Sequence, residues 1–133
     1  MSPGPKSRGR NLQRRRRALR RGRAAEWLAL WHLRLKGWSI LARRWRSPQG
    51  EIDILARKGG VLAVVEVKAR RDLETAAFSL ATRQRGRILR AAQSFLQGRP
   101  ELAGLDLRFD VILLAPWRPP LHIEGAWRAD EPP

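Results

Sequence analysis

The sequence predicts an α/β domain in which helices flank a mixed β-sheet, with its elements in the order αβββαββ. Two observations lead to this prediction. Apolar residues recur at helical spacing over residues 24–35 and again over 84–96, whereas β-rich runs occupy residues 51–57 and 61–69. A length of 133 residues is enough for one hydrophobic core but too short for two. The chain is therefore expected to form a single domain.

The first helix is predicted from a stripe of apolar side chains that ends before Gly37, a residue well suited to terminate a helix. A strand is expected over residues 38–46, closed by turn residues at 47–50. The residues expected to face the core from the helix are Ala24, Trp27, Leu28, Trp31 and Leu35. Trp38, just after the helix, also fits a core position.

The second half of the chain continues the α/β pattern. A helix is predicted over residues 84–96, with a stop at 98–100, and strands are predicted over 107–115 and 121–127. The apolar face of that helix comprises Ile88, Leu89, Ala92, Phe95 and Leu96. Residues 1–17 are too polar to bury a core and are expected to form a disordered basic arm. The domain is expected over residues 18–127, followed by a disordered tail at 128–133.

Composition restricts the available chemistry. Cysteine is absent and only two histidines are present, which excludes disulfides, thiolate nucleophiles and most zinc sites. Catalysis would have to depend on carboxylates, lysine and backbone groups. The net charge is +16; ten basic residues within 1–23 account for part of it and leave +6 for the rest. This excess of positive charge favours a polyanionic partner such as nucleic acid. The alternative is that the charge only reflects a genome with a compositional bias toward arginine.

The sequence also bears on location. No apolar run approaches the roughly 20 residues that span a bilayer, and no apolar signal segment follows the N-terminus. A cytoplasmic protein without a membrane partner is therefore expected. The arginine-rich start overlaps in character with a transit peptide, and that alternative stays open.

The central candidate site lies on the hairpin predicted around Gly59-Gly60. A two-residue turn there places Asp53 opposite Glu66 and Glu51 opposite Lys68, and puts Ile52, Ile54, Val65 and Val67 on the core side. Facing carboxylates about 5 Å apart repel by roughly 3 kcal/mol at an effective dielectric near 20. Mg²⁺ or Mn²⁺ would reverse that sign, because hard cations bind oxygen ligands. A surface ladder of ion pairs around Lys68 is the alternative interpretation.

An Asp followed by twelve residues and then Glu-x-Lys resembles the motif of the PD-(D/E)xK nucleases, which include restriction endonucleases and Holliday-junction resolvases. The chain also resembles the YraN family of bacterial proteins over about residues 18–127. The resemblance rests on Gly22-Arg23-Ala24-Ala25-Glu26, Gly37-Trp38, Arg44-Trp45-Arg46, Gly50-Glu51-Ile52-Asp53, Glu66-Val67-Lys68-Ala69-Arg70 and Arg108-Phe109-Asp110-Val111. It implies a restriction endonuclease-like core. Two positions depart from the family pattern: Ala69 replaces a usual Thr or Ser, and Gln84 replaces a common lysine.

These patterns assign roles to individual residues. Asp53 and Glu66 are the expected metal ligands, with the carbonyl of Val67 as a third, and Lys68 would orient water or stabilise charge. Glu26 either joins the catalytic group, as the resemblance implies, or complements the helix dipole. Glu51 either holds a second ion or pairs with Lys68, and Gln84 either reaches the site or stays exposed. The candidate phosphate contacts are Arg43, Arg44, Arg46, Arg70, Arg83, Arg87 and Arg90.

Other conspicuous side chains are assigned structural roles. Asp110 lies in an apolar strand and is expected to be paired, with an arginine as the preferred partner. His32 and His122 have no second ligand at useful spacing. Trp45 could stack on an unpaired base, but core packing is preferred for it.

The function expected from these features is metal-dependent hydrolysis of phosphodiester bonds in DNA, branched or single-stranded, or in RNA, with DNA favoured. One rival is a nucleic-acid-binding module with a degenerate nuclease fold and no turnover. Another is an adaptor whose basic arm docks on an acidic assembly. A homodimer is a further expectation for the nuclease, because an enzyme that cuts junctions would need two copies related by a two-fold axis.

Overall fold

The computed structural model describes residues 23–69 and 82–127. The described elements are helix α1 (residues 23–35), β1 (Ser39–Ser47), β2 (Gly50–Lys58), β3 (Val61–Ala69), helix α2 (Thr82–Gln97), a short 3₁₀ turn (Pro100–Leu102), β4 (Asp106–Leu114) and β5 (Leu121–Trp127). They form a mixed α/β fold that is compatible with a nuclease-like core. The predicted arm at 1–17 and tail at 128–133 lie outside the described residues.

The five strands form one mixed sheet in the order β1-β2-β3-β4-β5. Its first three strands form an antiparallel meander, β3 and β4 are parallel, and β4 and β5 are antiparallel. Parallel neighbours cannot be joined by a tight turn, so the chain leaves the sheet between them, and α2 lies within that connection. Within the described ranges no helix is long and apolar enough to cross a bilayer.

Each helix covers one face of the sheet. The α1 side is filled by small and branched side chains from the helix and from the strand centres, including Leu30, Leu33, Ile54 and Val65. The α2 side packs Ile88, Ala91, Ala92 and Phe95 against residues such as Leu55, Val64 and Phe109. The predicted face of the second helix is thereby confirmed, with Leu89 and Leu96 at its half-buried margin.

Helix α1 ends where the sequence predicts. Gly37 adopts a φ of +91°, and the amide of Trp38 donates to the carbonyl of Leu33 while that of Gly37 donates to Arg34. These two bonds satisfy carbonyls that the last helical turn leaves free. Glycine supplies the left-handed conformation without steric cost.

The stripe of α1 that faces the core differs from the predicted one. The buried residues of the helix are Ala25, Ala29, Leu30 and Leu33. The predicted core residues Ala24, Trp27, Leu28, Trp31 and Leu35 are all exposed. With about 100° per residue, the two tryptophans lie about 150° around the helix from the centre of the buried stripe. Small alanines face the sheet because they let the helix approach it closely, and the large rings consequently point outward. Trp38 is buried as predicted.

A buried polar network joins β4 to β5. The carboxylate of Asp110 is fully buried and accepts hydrogen bonds from Arg108 (2.9 Å), from the amide of Gly125 (2.9 Å) and from Nε2 of His122 (2.8 Å). Burial alone would raise the pKa of Asp110, but the bonds from His122 and Arg108 outweigh it and lower the pKa. The predicted pairing with an arginine is confirmed, and His122 is a structural residue.

Replacing Asp110 by Ala is expected to destabilise the fold by about 3 kcal/mol, because it leaves the imidazole, the amide and part of the guanidinium without an acceptor. Urea unfolding followed by circular dichroism measures the change. Asp106, an exposed acid on the same strand, provides the matched control, and Asp106→Ala should cost less than about 0.5 kcal/mol. Equal effects of the two substitutions would contradict a structural role for the buried network.

Candidate metal and nucleic-acid site

The β2–β3 hairpin has the predicted register. Lys58 pairs with Val61 and Ile54 pairs with Val65, so Gly59 and Gly60 form the two-residue turn. The ladder of paired residues runs from that turn to Ile54 and Val65. Beyond this point β2 stays paired with β1, and β3 stays paired with β4. Asp53 and Glu66 are the first residues past the end of the ladder.

The side chain of Asp53 substitutes for the missing backbone pairing. Its Oδ2 accepts the amide hydrogen of Val67 at 2.9 Å. The backbone group that faces Asp53 is therefore the amide of Val67, whereas the sequence-based hypothesis concerned its carbonyl. This bond fixes the carboxylate of Asp53 against β3, beside Glu66. The strand ends thus separate without leaving that amide unsatisfied.

The alternation of side chains between the two faces of the sheet is interrupted on β2 at Asp53. Ile54 packs on the α1 side of the sheet, whereas Ile52 packs on the α2 side, so the prediction that both face one side is wrong for Ile52. On β1, the residue between the partners of Ile52 and Ile54 is Arg44, which has a φ of +50°. A left-handed residue reorients the strand and allows neighbouring side chains to leave the regular pleat. Val65 and Val67 pack on the α1 side as predicted.

Burial raises the pKa of both carboxyl groups, and a hydrogen bond joins them. Burial, followed by the charge of Asp53, raises the pKa of Glu66 to about 9. Burial also raises the pKa of Asp53, and the charge of Glu26 adds to that rise. Lys68 opposes the shift at both acids. At neutral pH Glu66 therefore retains a proton, and the pair behaves as one site that titrates in two steps.

One oxygen of this pair is unpaired. Oε1 of Glu66 is buried and has no hydrogen-bond partner within the described part of the chain. A buried acceptor without a donor costs free energy, so its presence beside a second carboxylate is unfavourable for stability alone. At neutral pH the proton of Glu66 relieves the repulsion through a hydrogen bond between the two acids. A cation that displaced this proton would bind both acids and satisfy the remaining oxygen.

Oxygen donors of this type suit Mg²⁺ or Mn²⁺. Among the described residues no group of three or more His, Cys, Asp or Glu side chains converges on one point. Two carboxylates are nevertheless a common protein contribution to a Mg²⁺ site, with water and phosphate oxygens completing the shell. The donor set around Asp53 and Glu66 therefore fits this ion.

The remaining acids near the site are paired with arginines. Glu26, on the first described turn of α1, accepts from Nε of Arg44 at 2.7 Å, and its charge reaches Asp53. Glu51 is exposed and lies 3.6 Å from Nε of Arg46. The expectation that Glu51 pairs with Lys68 is therefore wrong: the reversal of β2 at Asp53 turns Glu51 toward β1.

The comparisons with known proteins identify the family. The chain matches the uncharacterised protein family UPF0102 over residues 25–114. The chain belongs to the UPF0102, or YraN, family. The UPF0102 protein amb4503 of Paramagnetospirillum magneticum is 53% identical over 117 residues, covering 85% of this chain and 91% of the relative. A UPF0102 protein of Parvibaculum lavamentivorans is 52% identical over 111 residues, covering 84% of each chain.

More distant UPF0102 proteins match over similar lengths. One from Chelativorans is 45% identical over 115 residues, covering 86% of this chain and 93% of the relative. The relatives are bacterial, and the resemblance to the YraN family predicted from the motifs is confirmed. The family name describes no reaction.

The other predicted nucleic-acid contacts are distributed over several surfaces. Arg43 and Arg44 lie on the α1 side of β1. Arg46 is exposed near Glu51, and Arg87 and Arg90 are exposed on α2. Trp45 packs against Phe95 as preferred, with ring centroids 5.2 Å apart. Arg70 and the side chains of Arg83 and Gln84 lie outside the described part of the structure.

Trp27 and Arg23 are two site residues that the sequence reasoning missed. Together with Glu26, Arg43 and Arg44 they line an open pocket of about 200 Å³. The sequence feature that could have revealed Trp27 is its position on the helix, which points away from the side that carries Ala25 and Ala29. That signal is weak, because a tryptophan at helical spacing suits a core position equally well.

Proposed function

We propose that this protein hydrolyses phosphodiester bonds in nucleic acid, with DNA favoured as the substrate, at a site formed by Asp53, Glu66 and Lys68. The observation that carries the proposal is the buried, unpartnered Oε1 of Glu66 beside a second carboxyl group, within the described part of the chain. A buried acceptor without a donor is costly, and a cation bound by both carboxyl groups would satisfy it. The high net positive charge, +16, supports a polyanionic substrate.

Asp53 and Glu66 would hold one Mg²⁺ or Mn²⁺. A bound divalent ion supplies positive charge that stabilises the phosphorane-like transition state and promotes ionisation of water. Asp53 is held in place by the amide of Val67, so its carboxylate needs little reorganisation to act as a ligand. The carbonyl of Val67 stays a further candidate ligand.

Lys68 lies two residues after Glu66 on β3, so its side chain leaves the strand on the same side. Its charge acts on both carboxyl groups, which indicates that the ammonium group is near them. From there it can orient the attacking water and donate a hydrogen bond to a non-bridging phosphate oxygen. Glu26 and Arg44 form a neighbouring ion pair that adds polar groups at the rim of the site.

Asp53→Asn tests the metal site directly. Asn keeps an oxygen that can accept the Val67 amide but removes the charge that binds a cation. We expect calorimetry with MnCl₂ to show binding to the wild type and a large loss of Mn²⁺ affinity in the variant. The loss should exceed the about 10- to 100-fold that follows when a residue hydrogen-bonded to a metal ligand is removed. Glu51 is an exposed acid two residues away and provides the matched control. Glu51→Gln should change the affinity for Mn²⁺ by less than about twofold.

Cleavage is measured on labelled single-stranded, branched and duplex DNA and on RNA, with Mn²⁺ present. We expect products with the wild type and with Glu51→Gln, and none with Asp53→Asn. Nucleic-acid binding by a wild-type protein that takes up no Mn²⁺ would instead identify a module without turnover. Cleavage that survives in Asp53→Asn would overturn the assignment of this site.

A further inference from the structure

The outward face of α1 carries two exposed tryptophans, each accompanied by an arginine. Trp27 and Trp31 are both 52% exposed. Cζ of Arg43 lies 5.4 Å from the ring centroid of Trp27, and Cζ of Arg34 lies 5.7 Å from that of Trp31. These four residues form what we call the tryptophan–arginine face. Indole rings so exposed are costly in water, and their clustering indicates a binding surface.

This face leads into the pocket beside the acids. The pocket is lined by Trp27 and Arg43 from the face together with Glu26 and Arg44. Arg44 lies on β1 between the partners of Ile52 and Ile54, so it is next to Asp53 of the neighbouring strand. The face therefore leads toward the carboxylate pair. Trp31 lies four residues farther along α1, about 6 Å away along the helix axis, on the next turn.

We propose that the tryptophan–arginine face binds single-stranded nucleic acid and delivers it to the Asp53–Glu66 site. One base stacks on Trp27 and a neighbouring base on Trp31, since an advance of one helical turn is comparable with the spacing of successive nucleotides in an extended strand. Arg43 and Arg34 contact the phosphates beside those bases. The delivery step rests on the proposed function, whereas the binding step does not.

Charge and shape favour this occupant over others. The pocket is lined by three arginines and one glutamate, which suits a phosphate-bearing ligand. In duplex DNA the bases are stacked on one another, so their faces cannot reach the indole rings. A second copy of this chain, paired through the same face, would bring arginines of like sign together. Unpaired bases satisfy both the rings and the charges.

Binding measurements on the full chain in EDTA test this inference independently of catalysis. Fluorescence anisotropy compares a labelled oligothymidylate with a duplex of matched length at about 0.2 M salt, which suppresses nonspecific phosphate contacts. We expect Trp27→Ala to weaken single-strand binding by about 5- to 150-fold, the effect of losing one stacked base. Duplex binding should change by less than about threefold, and Trp31→Ala should behave similarly.

Trp117 supplies the matched control. It is fully exposed in the turn between β4 and β5 and does not line the pocket, so Trp117→Ala should leave both affinities within about twofold. Equal losses on single strands and duplexes, or no loss in Trp27→Ala, would overturn the proposal. So would a wild-type dimer in sedimentation that dissociates on Trp27→Ala without a change in single-strand affinity. Failure of Mn²⁺ binding or cleavage, with single-strand binding intact, would reject the nuclease proposal alone.

Discussion

Glu66→Gln is expected to abolish cleavage and, at the same time, to make the cation-free protein more resistant to heat. The substitution removes a proposed metal ligand and, with it, a carboxyl group whose ionisation is opposed by burial and by the charge of Asp53. Gln has nearly the same shape and stays neutral at every pH. At about pH 8 to 9 we expect the melting temperature to rise by about 4 °C or more, the shift that about 1 kcal/mol produces in a domain of this size.

The sign of the pH dependence follows from the direction of the shift. In the unfolded chain Glu66 loses its proton near the ordinary glutamate pKa of 4.5, whereas in the folded protein the pKa is raised to about 9. Between these values the folded state binds more protons, so stability falls as pH rises. The pKa of His32 is lowered from 6.5 by burial, and that of Asp110 is lowered from 3.8, so the stability changes linked to both groups are nearly complete by about pH 7.5. The interval from about pH 7.5 to 9 therefore reports mainly on the carboxyl pair.

Thermal unfolding in EDTA over this interval measures the effect. The wild type should lose stability as the pH rises, Glu66→Gln should lose much less, and the control Glu51→Gln should follow the wild type. Added Mn²⁺ should stabilise the wild type at about pH 8 but not Glu66→Gln, because only a ligand that binds the folded state raises its stability. Parallel pH profiles for the wild type and Glu66→Gln would show that this carboxyl group is not strained.

Lys68→Met is expected to reduce cleavage by about 10²- to 10⁴-fold while the cation still binds. The charge of Lys68 lowers the pKa of both acids, so its removal also weakens Mn²⁺ binding near neutral pH. Rates are therefore compared at saturating Mn²⁺ and at about pH 9, where both acids bind cations more readily. The loss of cleavage rate that remains then measures the contribution of Lys68 to orienting the water and contacting the phosphate.

Lys58 provides the comparison for that experiment. It lies at the turn end of the same hairpin, and its ammonium group donates to the carbonyl of Lys36 at 2.6 Å. Lys58→Met should retain cleavage within about twofold. If Lys68→Met cleaves at the wild-type rate at saturating Mn²⁺, the catalytic role given to this residue is wrong.

The hairpin is predictable because local chemistry determines it. A two-residue Gly-Gly turn fixes which residues oppose one another, so the register from Lys58–Val61 to Ile54–Val65 follows from counting. The helix end at Gly37 and the pairing of Asp110 are predictable for the same kind of reason: each needs a particular residue type nearby.

The end of the hairpin ladder cannot be predicted from the hairpin itself. β2 and β3 separate after Ile54 and Val65 because each continues along a different neighbour, and the neighbour of β3 comes from a distant part of the chain. The positive φ of Arg44, which accompanies the reversal at Ile52, likewise has no local signal, since arginine rarely adopts it. The buried face of α1 differs from its prediction because hydrophobicity alone does not reveal how closely alanines let a helix approach a sheet.

The bond from the Val67 amide to Asp53 has a consequence for how such proteins diverge. The carboxylate at position 53 closes a gap in the sheet as well as serving the proposed chemistry. A descendant that lost catalysis would still need an acceptor there, so selection for folding alone would retain Asp or Asn. At position 66 burial opposes the charge, so a neutral Gln that keeps the hydrogen bonds to Asp53 would serve folding at least as well as Glu. Replacement of Glu66 by Gln with retention of Asp53 would therefore be the evolutionary signature of an inactive lineage.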